Sequence, residues 1–200
     1  MGIEVAQGFG RRLKRMVAGM AAAALVLGSP WLGAIAADEA DARRVAVGIK
    51  LFPAVLAADQ DIGDKLPSDG VLKLLLVHRD EAALAERLAA MLNDRGRIRD
   101  MPIAVEILTV GELASYPGAQ AAGVFVVQRL GDDLVSIRAF SQRHRRLSFS
   151  PFEGDVERGI TAGMVVSDRV LPYLNIDAVE ATGLRIKPFF LKIAERYETH

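Results

Sequence analysis

A chain of 200 residues with 25 basic and 25 acidic side chains, half of its residues hydrophobic and no cysteine, is long enough for a domain with a sizeable interior. The missing thiols exclude a disulfide framework, thiol redox chemistry and cysteine-bound metal. The balanced charge lacks the basic excess of a nucleic-acid binder.

The first 36 residues read as a secretory signal. Arg11, Arg12, Lys14 and Arg15 precede an apolar run, and Ala34 and Ala36 form an A-x-A cleavage site that places the mature start near Ala37. Gly28, Ser29 and Pro30 interrupt the run, leaving it short of the roughly 20 apolar residues of a spanning helix. The Arg11-Arg12 pair lacks the rest of a twin-arginine context. The expected product is a periplasmic domain of residues 37–200 with no stable membrane insertion, carrying 21 basic and 24 acidic residues.

In the mature chain, Val45, Ile49, Phe52 and Leu56 recur at helical spacing, with Pro53 expected to kink or restart the helix. "LPSDG" is a turn, and "VLKLLLV" (71–77) is an uninterrupted apolar run of the kind found in strands buried on both faces. A helix comes next, with Leu84, Leu88, Met91 and Leu92 on its inner face, Asp80 as N-cap and Gly96 as its stop. "PIAVEIL" (102–108) is a second strand, "TVGELASY" a short helical turn and "GVFVVQ" (123–128) a third strand. "GDDLVSIRAFSQRHR" is a helix with Leu134, Ile137 and Phe140 inward, and "RLSFS" (146–150) is a fourth strand. Beyond residue 160 come two short strands joined at Ser167-Asp168, a short helix in "NIDAVEATG", and a final amphipathic helix spanning "LRIKPFFLKIAERYE". The expected fold is a single α/β domain, with a mostly parallel open sheet flanked by helices and a C-terminal β-hairpin and amphipathic helix.

Catalytic signatures are missing. His78, His144 and His200 show no H-x-x-x-H or H-E-x-x-H spacing, so no zinc site is expected. No serine lies in a G-x-S-x-G elbow, and no G-x-G-x-x-G or Walker loop comes after a strand. Asp132-Asp133 open a helix, where its dipole favours them. Neither a catalytic residue nor a cofactor is expected. His78, Arg79 and Asp80 form a polar cluster at the carboxyl end of the first strand, where open α/β sheets take ligands. The same residues also suit a plain strand-to-helix turn. Arg143, His144, Arg145 and Arg146 are the densest charge in the mature chain. They fit a solvated helix end or a contact for an acidic partner or anionic ligand.

The C-terminal third, "LSFSPFEGDVERGITAGMVVSDRVLPYLNIDAVEATGLRIKPFFLKIA", resembles the YfiR/HmsC-like periplasmic regulator family. The matching positions are Ser150, Gly159, Gly163, Val166, Asn175, Ala178, Gly183, Leu184, Ile186, Leu191 and Ala194. "VGIKLFPAVL", with Lys50 and Phe52, resembles the family's first helix, although the Trp-Pro that usually ends it is absent. The resemblance implies a non-enzymatic adaptor of a cyclic-di-GMP pathway that binds the periplasmic sensor domain of a membrane diguanylate cyclase or related receptor. Several members carry disulfides, and that form of control cannot apply to a chain without cysteine. A small solute-binding module is the alternative, with one lobe where such proteins use two.

The loop between the fourth strand and the hairpin holds Gly154 and Gly159, with Gly163 just beyond. These suit positive φ or close backbone approach, in a connection that does no chemistry. In the last helix, Ile186, Phe190 and Ile193 share a face, which sets Phe189 at its boundary. Phe189 is therefore a candidate partner-binding residue, for a receptor domain or a second copy of the chain.

Overall fold

The computed structural model describes residues 30–198. Most of the expected signal segment, residues 1–29, and His200 lie outside them. Helix α1 (Pro30–Ala58) leads into strand β1 (Leu72–His78), helix α2 (Ala82–Arg95), and strands β2 (Arg97–Ile98) and β3 (Met101–Thr109). Next are a single turn α3 (Val110–Leu113), strand β4 (Ala121–Val126), helix α4 (Leu134–His144) and strand β5 (Leu147–Phe149). The chain continues through β6 (Ala162–Val166), β7 (Val170–Asn175), α5 (Ile176–Thr182), α6 (Pro188–Ile193) and β8 (Glu195–Tyr197).

The eight strands form one sheet in the order β2-β3-β1-β4-β5-β6-β7-β8. Strands β3, β1, β4, β5 and β6 run parallel, as the alternation of strands and helices predicts. The hairpin β6–β7 is antiparallel, with Val166 opposite Val170 around the expected Ser167-Asp168 turn. Strand β1 is central, paired along its length with β3 and nearly so with β4, and Leu72 and Leu74 through Val77 are fully buried. Helix α1 closes one face. Phe52 packs on the stacked rings of Phe125 and Phe149 at centroid distances of 5.5 and 5.8 Å. Leu134, Ile137 and Phe140 are buried on α4, as the spacing predicts.

Four local expectations are corrected. Pro53 does not restart the helix: α1 runs unbroken from Pro30 to Ala58 with Pro53 inside it. One missing N–H costs a helical bond, but the full burial of Phe52, Val55 and Leu56 around it holds the helix to the sheet. Met91 is 44% exposed, because α2 buries Ala85, Leu88, Ala89 and Leu92 instead. Asp80 does not cap α2. The side-chain Oε1 of Gln128, just beyond β4, accepts from the backbone N–H groups of Arg79, Asp80 and Glu81 at 3.0–3.1 Å. Gly96 does stop this helix, with φ of 73°.

The last correction concerns the C-terminus. The long amphipathic helix expected there is one and a half turns, α6, succeeded by β8, which pairs parallel with β7 through Tyr173–Asn175. Pro188 starts the helix. The stretch before it is extended, held to the end of α1 by the Asp59–Ile186 bridge and by the Lys187 N–H to Ala58 O bond. Phe190 and Ile186 are buried as expected, but Ile193 is 54% exposed, because the helical face of which it was to be part does not exist.

Candidate functional site

Open parallel sheets take ligands where neighbouring strands send their connections in opposite directions. Here that place lies between the carboxyl ends of β1 and β4, since β1 leads through α2 to β3 on one side and β4 leads through α4 to β5 on the other. His78, Arg79 and Asp80 stand there as the sequence predicts, and Arg79 and Asp80 are held by hydrogen bonds. Besides capping α2, Gln128 donates its amide to Asp80 Oδ1. Arg79 donates to Asp133 Oδ2 at 2.6 Å and to Leu130 O at 2.6 Å. These residues lie at the end of β1 and in the turn that leads into α2. His78 is buried with Nδ1 lacking a hydrogen-bond partner.

The loop 150–161 crosses from β5 to its parallel neighbour β6 without a helix and is organised from within. The Ser150 hydroxyl donates to Asp155 Oδ2 at 2.6 Å and accepts from the Phe152 N–H. The Thr161 hydroxyl donates to Ser148 O at 2.7 Å and accepts from the Ser148 N–H at 2.8 Å. Asn175 donates to Val156 O at 2.7 Å and caps α5 by accepting from the Ala178 N–H at 2.8 Å. Gly159 has φ of 97°. A Cβ on Gly163 would stand 2.7 Å from Ser150 O, so only glycine fits. Five of the residues that carry the family resemblance, Ser150, Gly159, Gly163, Asn175 and Ala178, thus belong to the scaffold of this loop and hairpin.

Burial raises the Asp155 carboxyl above the usual carboxylate range, and the Ser150 hydroxyl and the charges of Arg129 and Arg158 offset only part of that effect. The folded state therefore holds this proton more tightly than the unfolded chain, so the cost of burying the charge falls as pH drops toward the ordinary Asp value near 4. Asp155→Asn keeps an acceptor for Ser150 and removes the titration. The variant is expected to be more stable than the wild type at pH 7 by chemical denaturation, with the difference closing below about pH 4. Equal stability at pH 7 would show that Arg129 and Arg158 fully compensate the buried charge.

A third place lies at the opposite, amino end of the sheet. Lys65, Arg145, Arg146 and Arg185, with Asp61 and Asp64, line a crevice of about 430 Å³. Beneath it Lys65 Nζ donates to Asp59 Oδ2, and both residues are almost fully buried. Arg185 grips Asp61 with two hydrogen bonds, one of 2.8 Å from Nε. This holds the Asp61 carboxyl below its ordinary range. Arg146 donates to Gly118 O at 3.0 Å, and burial lowers its pKa while Asp59 acts the other way. Of the basic cluster, then, Arg145 and Arg146 reach this crevice and Arg143 does not. Asp59, Lys65 and Arg185 escape sequence reading, because their partners are 6 to 124 residues away and no local pattern marks them.

The fourth is the C-terminal edge. Phe189 is 59% exposed, and Ile193 stands one turn on from it. Strand β8 pairs with β7 on one side and with no strand on the other among the described residues. In the described residues no group of three His, Asp or Glu side chains could hold a metal ion, and no helix is long and apolar enough to cross a membrane.

No protein-family model and no curated protein matches the chain. Among solved structures it is similar to a conserved domain protein from Vibrio cholerae O1 biovar El Tor, with a TM-score of 0.50 and 13% identity over 70% of this chain and 60% of that one. An ABC domain from Streptococcus pneumonia in complex with L-Trp matches with a TM-score of 0.49 and 12% identity, over 72% of this chain and 62% of that one. The chain thus covers about three fifths of each neighbour. At these identities the likeness is one of fold: a single mixed α/β domain with a mostly parallel sheet.

Proposed function

We propose that the chain is a non-enzymatic interaction protein, exported to the periplasm, whose C-terminal edge docks on the periplasmic sensor domain of a membrane diguanylate cyclase or related receptor. The observation that carries this reading is the pair of exposed apolar side chains on α6, Phe189 and Ile193, beside an edge strand with one side unpaired among the described residues. Exposed aromatics are over-represented at protein contacts, and an unpaired edge can accept a partner's strand. The YfiR/HmsC-like pattern supports the same reading, since it spans the loop, hairpin and α5 that lead into this edge.

Phe189→Asp tests it. Phe190, not Phe189, fills the core, at 4% exposure against 59%. The variant should therefore keep its stability to within about 0.5 kcal/mol. Capture of a purified periplasmic sensor domain of a membrane diguanylate cyclase should be lost. If the chain instead pairs with itself through this edge, sedimentation will show a dimer for the wild type and a monomer for the variant, and the receptor reading falls. Undiminished capture by the variant would also refute the surface.

A small-solute binding module is the second reading, and one observation favours it: the crevice of Arg145, Arg146 and Arg185.

A further inference from the structure

Among the described residues, three helices end in a left-handed residue. Gly96 ends α2 and Gly183 ends α5, both with φ near 70°, but Arg145 ends α4 with φ of 53°. Glycine takes this conformation freely and asparagine tolerates it, whereas a long side chain is strained by it. The only other non-glycine residue with positive φ among those described is Arg99, and its side chain explains its retention. Arg99 donates to Ala57 O and Asp59 O, closing the carboxyl end of α1. Arg145 has no comparable bond. Its guanidinium makes no hydrogen bond or ion pair within the described residues, and it lines the basic crevice beside Gly183.

Arg146, the next residue, is half buried, and the hydrogen-bond acceptors of its side chain are all neutral carbonyls, Gly118 O at 3.0 Å with Ala119 O and Arg145 O at 3.4 Å, while the already paired Asp59 acts on it only through its charge. Buried charges are ordinarily paired. The remaining charges at the crevice are largely matched, Lys65 with Asp59 and Arg185 with Asp61, while Asp64 is exposed. Counting Lys65, Arg145, Arg146 and Arg185 against Asp59, Asp61 and Asp64 leaves one net positive charge, located on two adjacent guanidiniums. A volume of about 430 Å³ is that of a small-molecule site.

We propose that this crevice binds a compact oxyanion, the carboxylate or phosphate group of a small solute, with Arg145 as its principal ligand and Arg146 as the second. A planar guanidinium offers paired N–H donors that match both groups, and the strained backbone at Arg145 holds that fork at the mouth of the site. The inference stands on the crevice itself and holds or fails separately from docking at α6 and β8.

The test is calorimetric titration of the purified chain with inorganic phosphate and, separately, with succinate, at an ionic strength held constant with sodium chloride. Saturable binding of at least one probe is expected, and the stronger one identifies the group. Arg145→Asn should weaken that binding by about tenfold or more. Its melting temperature without ligand should stay within about 2 °C of the wild type or rise, because asparagine suits the left-handed position. Arg145→Gly provides the same reading should the first variant fold poorly. Arg143→Asn removes an equal charge from the same helix end but outside the crevice, and should leave affinity within about twofold. Absence of saturable binding of both probes up to about 10 mM would overturn the proposal. Equal losses from Arg143→Asn and Arg145→Asn would also overturn it, since a diffuse positive field would then account for the binding.

Discussion

Asp59→Ala is expected to destabilise the protein by about 3–5 kcal/mol, the range for stripping one partner from a buried ion pair. Asp59 is 1% exposed and Lys65 is 5% exposed, so the ammonium left behind has no easy route to water. The carboxylate also accepts from the Asp61 N–H at 2.9 Å, which fixes the turn after α1. Burial already holds the Lys65 pKa below its ordinary value, against the pull of Asp59. In the variant the burial, helped by the charge of Arg146, is opposed only by the weaker pull of Asp61, so the unfolded chain binds that proton more tightly than the folded one. The stability of Asp59→Ala should therefore recover as pH rises toward the ordinary lysine value near 10.4. Asp59→Ala combined with Lys65→Met should restore most of the loss at pH 7, because an apolar chain of similar length needs no counter-charge. Urea titrations of the three proteins decide the matter. A loss below about 1 kcal/mol for the single variant would mean that the Lys65 ammonium reaches solvent once Asp59 is gone.

Leu75→Ala is the second large effect, expected to cost about 2–5 kcal/mol. Leu75 lies in the middle of the central strand, between Glu106 of β3 and Val124 of β4, with no exposed surface. Neighbours on both sides are held by ladder hydrogen bonds, so the site can collapse little around the missing methyl groups, and the cavity term adds to the lost burial. Met91→Ala is the matched control. Its side chain is 44% exposed, and its removal should change stability by no more than about 0.5 kcal/mol. A small effect at Leu75 would mean that β1 is not a buried interior strand of the sheet.

These two sites differ in how visible they are before folding is known. Leu75 is legible because "VLKLLLV" is apolar at nearly every position, and a run of that length suits only a strand covered on both faces. The alternation of such runs with helical spacing likewise specifies the parallel sheet, the order of elements and the inward residues of α4. The hairpin is legible from its turn residues, and the stop of α2 from Gly96, since local backbone preference alone decides both. Asp59 and Lys65 carry no comparable signal: nothing in "ADQDIGDK" says that two of its charges turn inward, because that depends on α1 docking against the sheet. Gln128 as the cap of α2 is set by a fold that brings it to Asp80, 48 positions away along the chain. At the C-terminus, helical spacing in "LRIKPFFLKIAERYE" was overruled by pairing with β7 and α1, which drew residues on either side of α6 into extended structure. Local pattern along the chain was thus enough to set the strands, most helices and the exposure of Phe189. Which charges meet was settled by the folded arrangement, because ion pairs and caps between distant segments depend on where a side chain ends in space and leave no period along the chain.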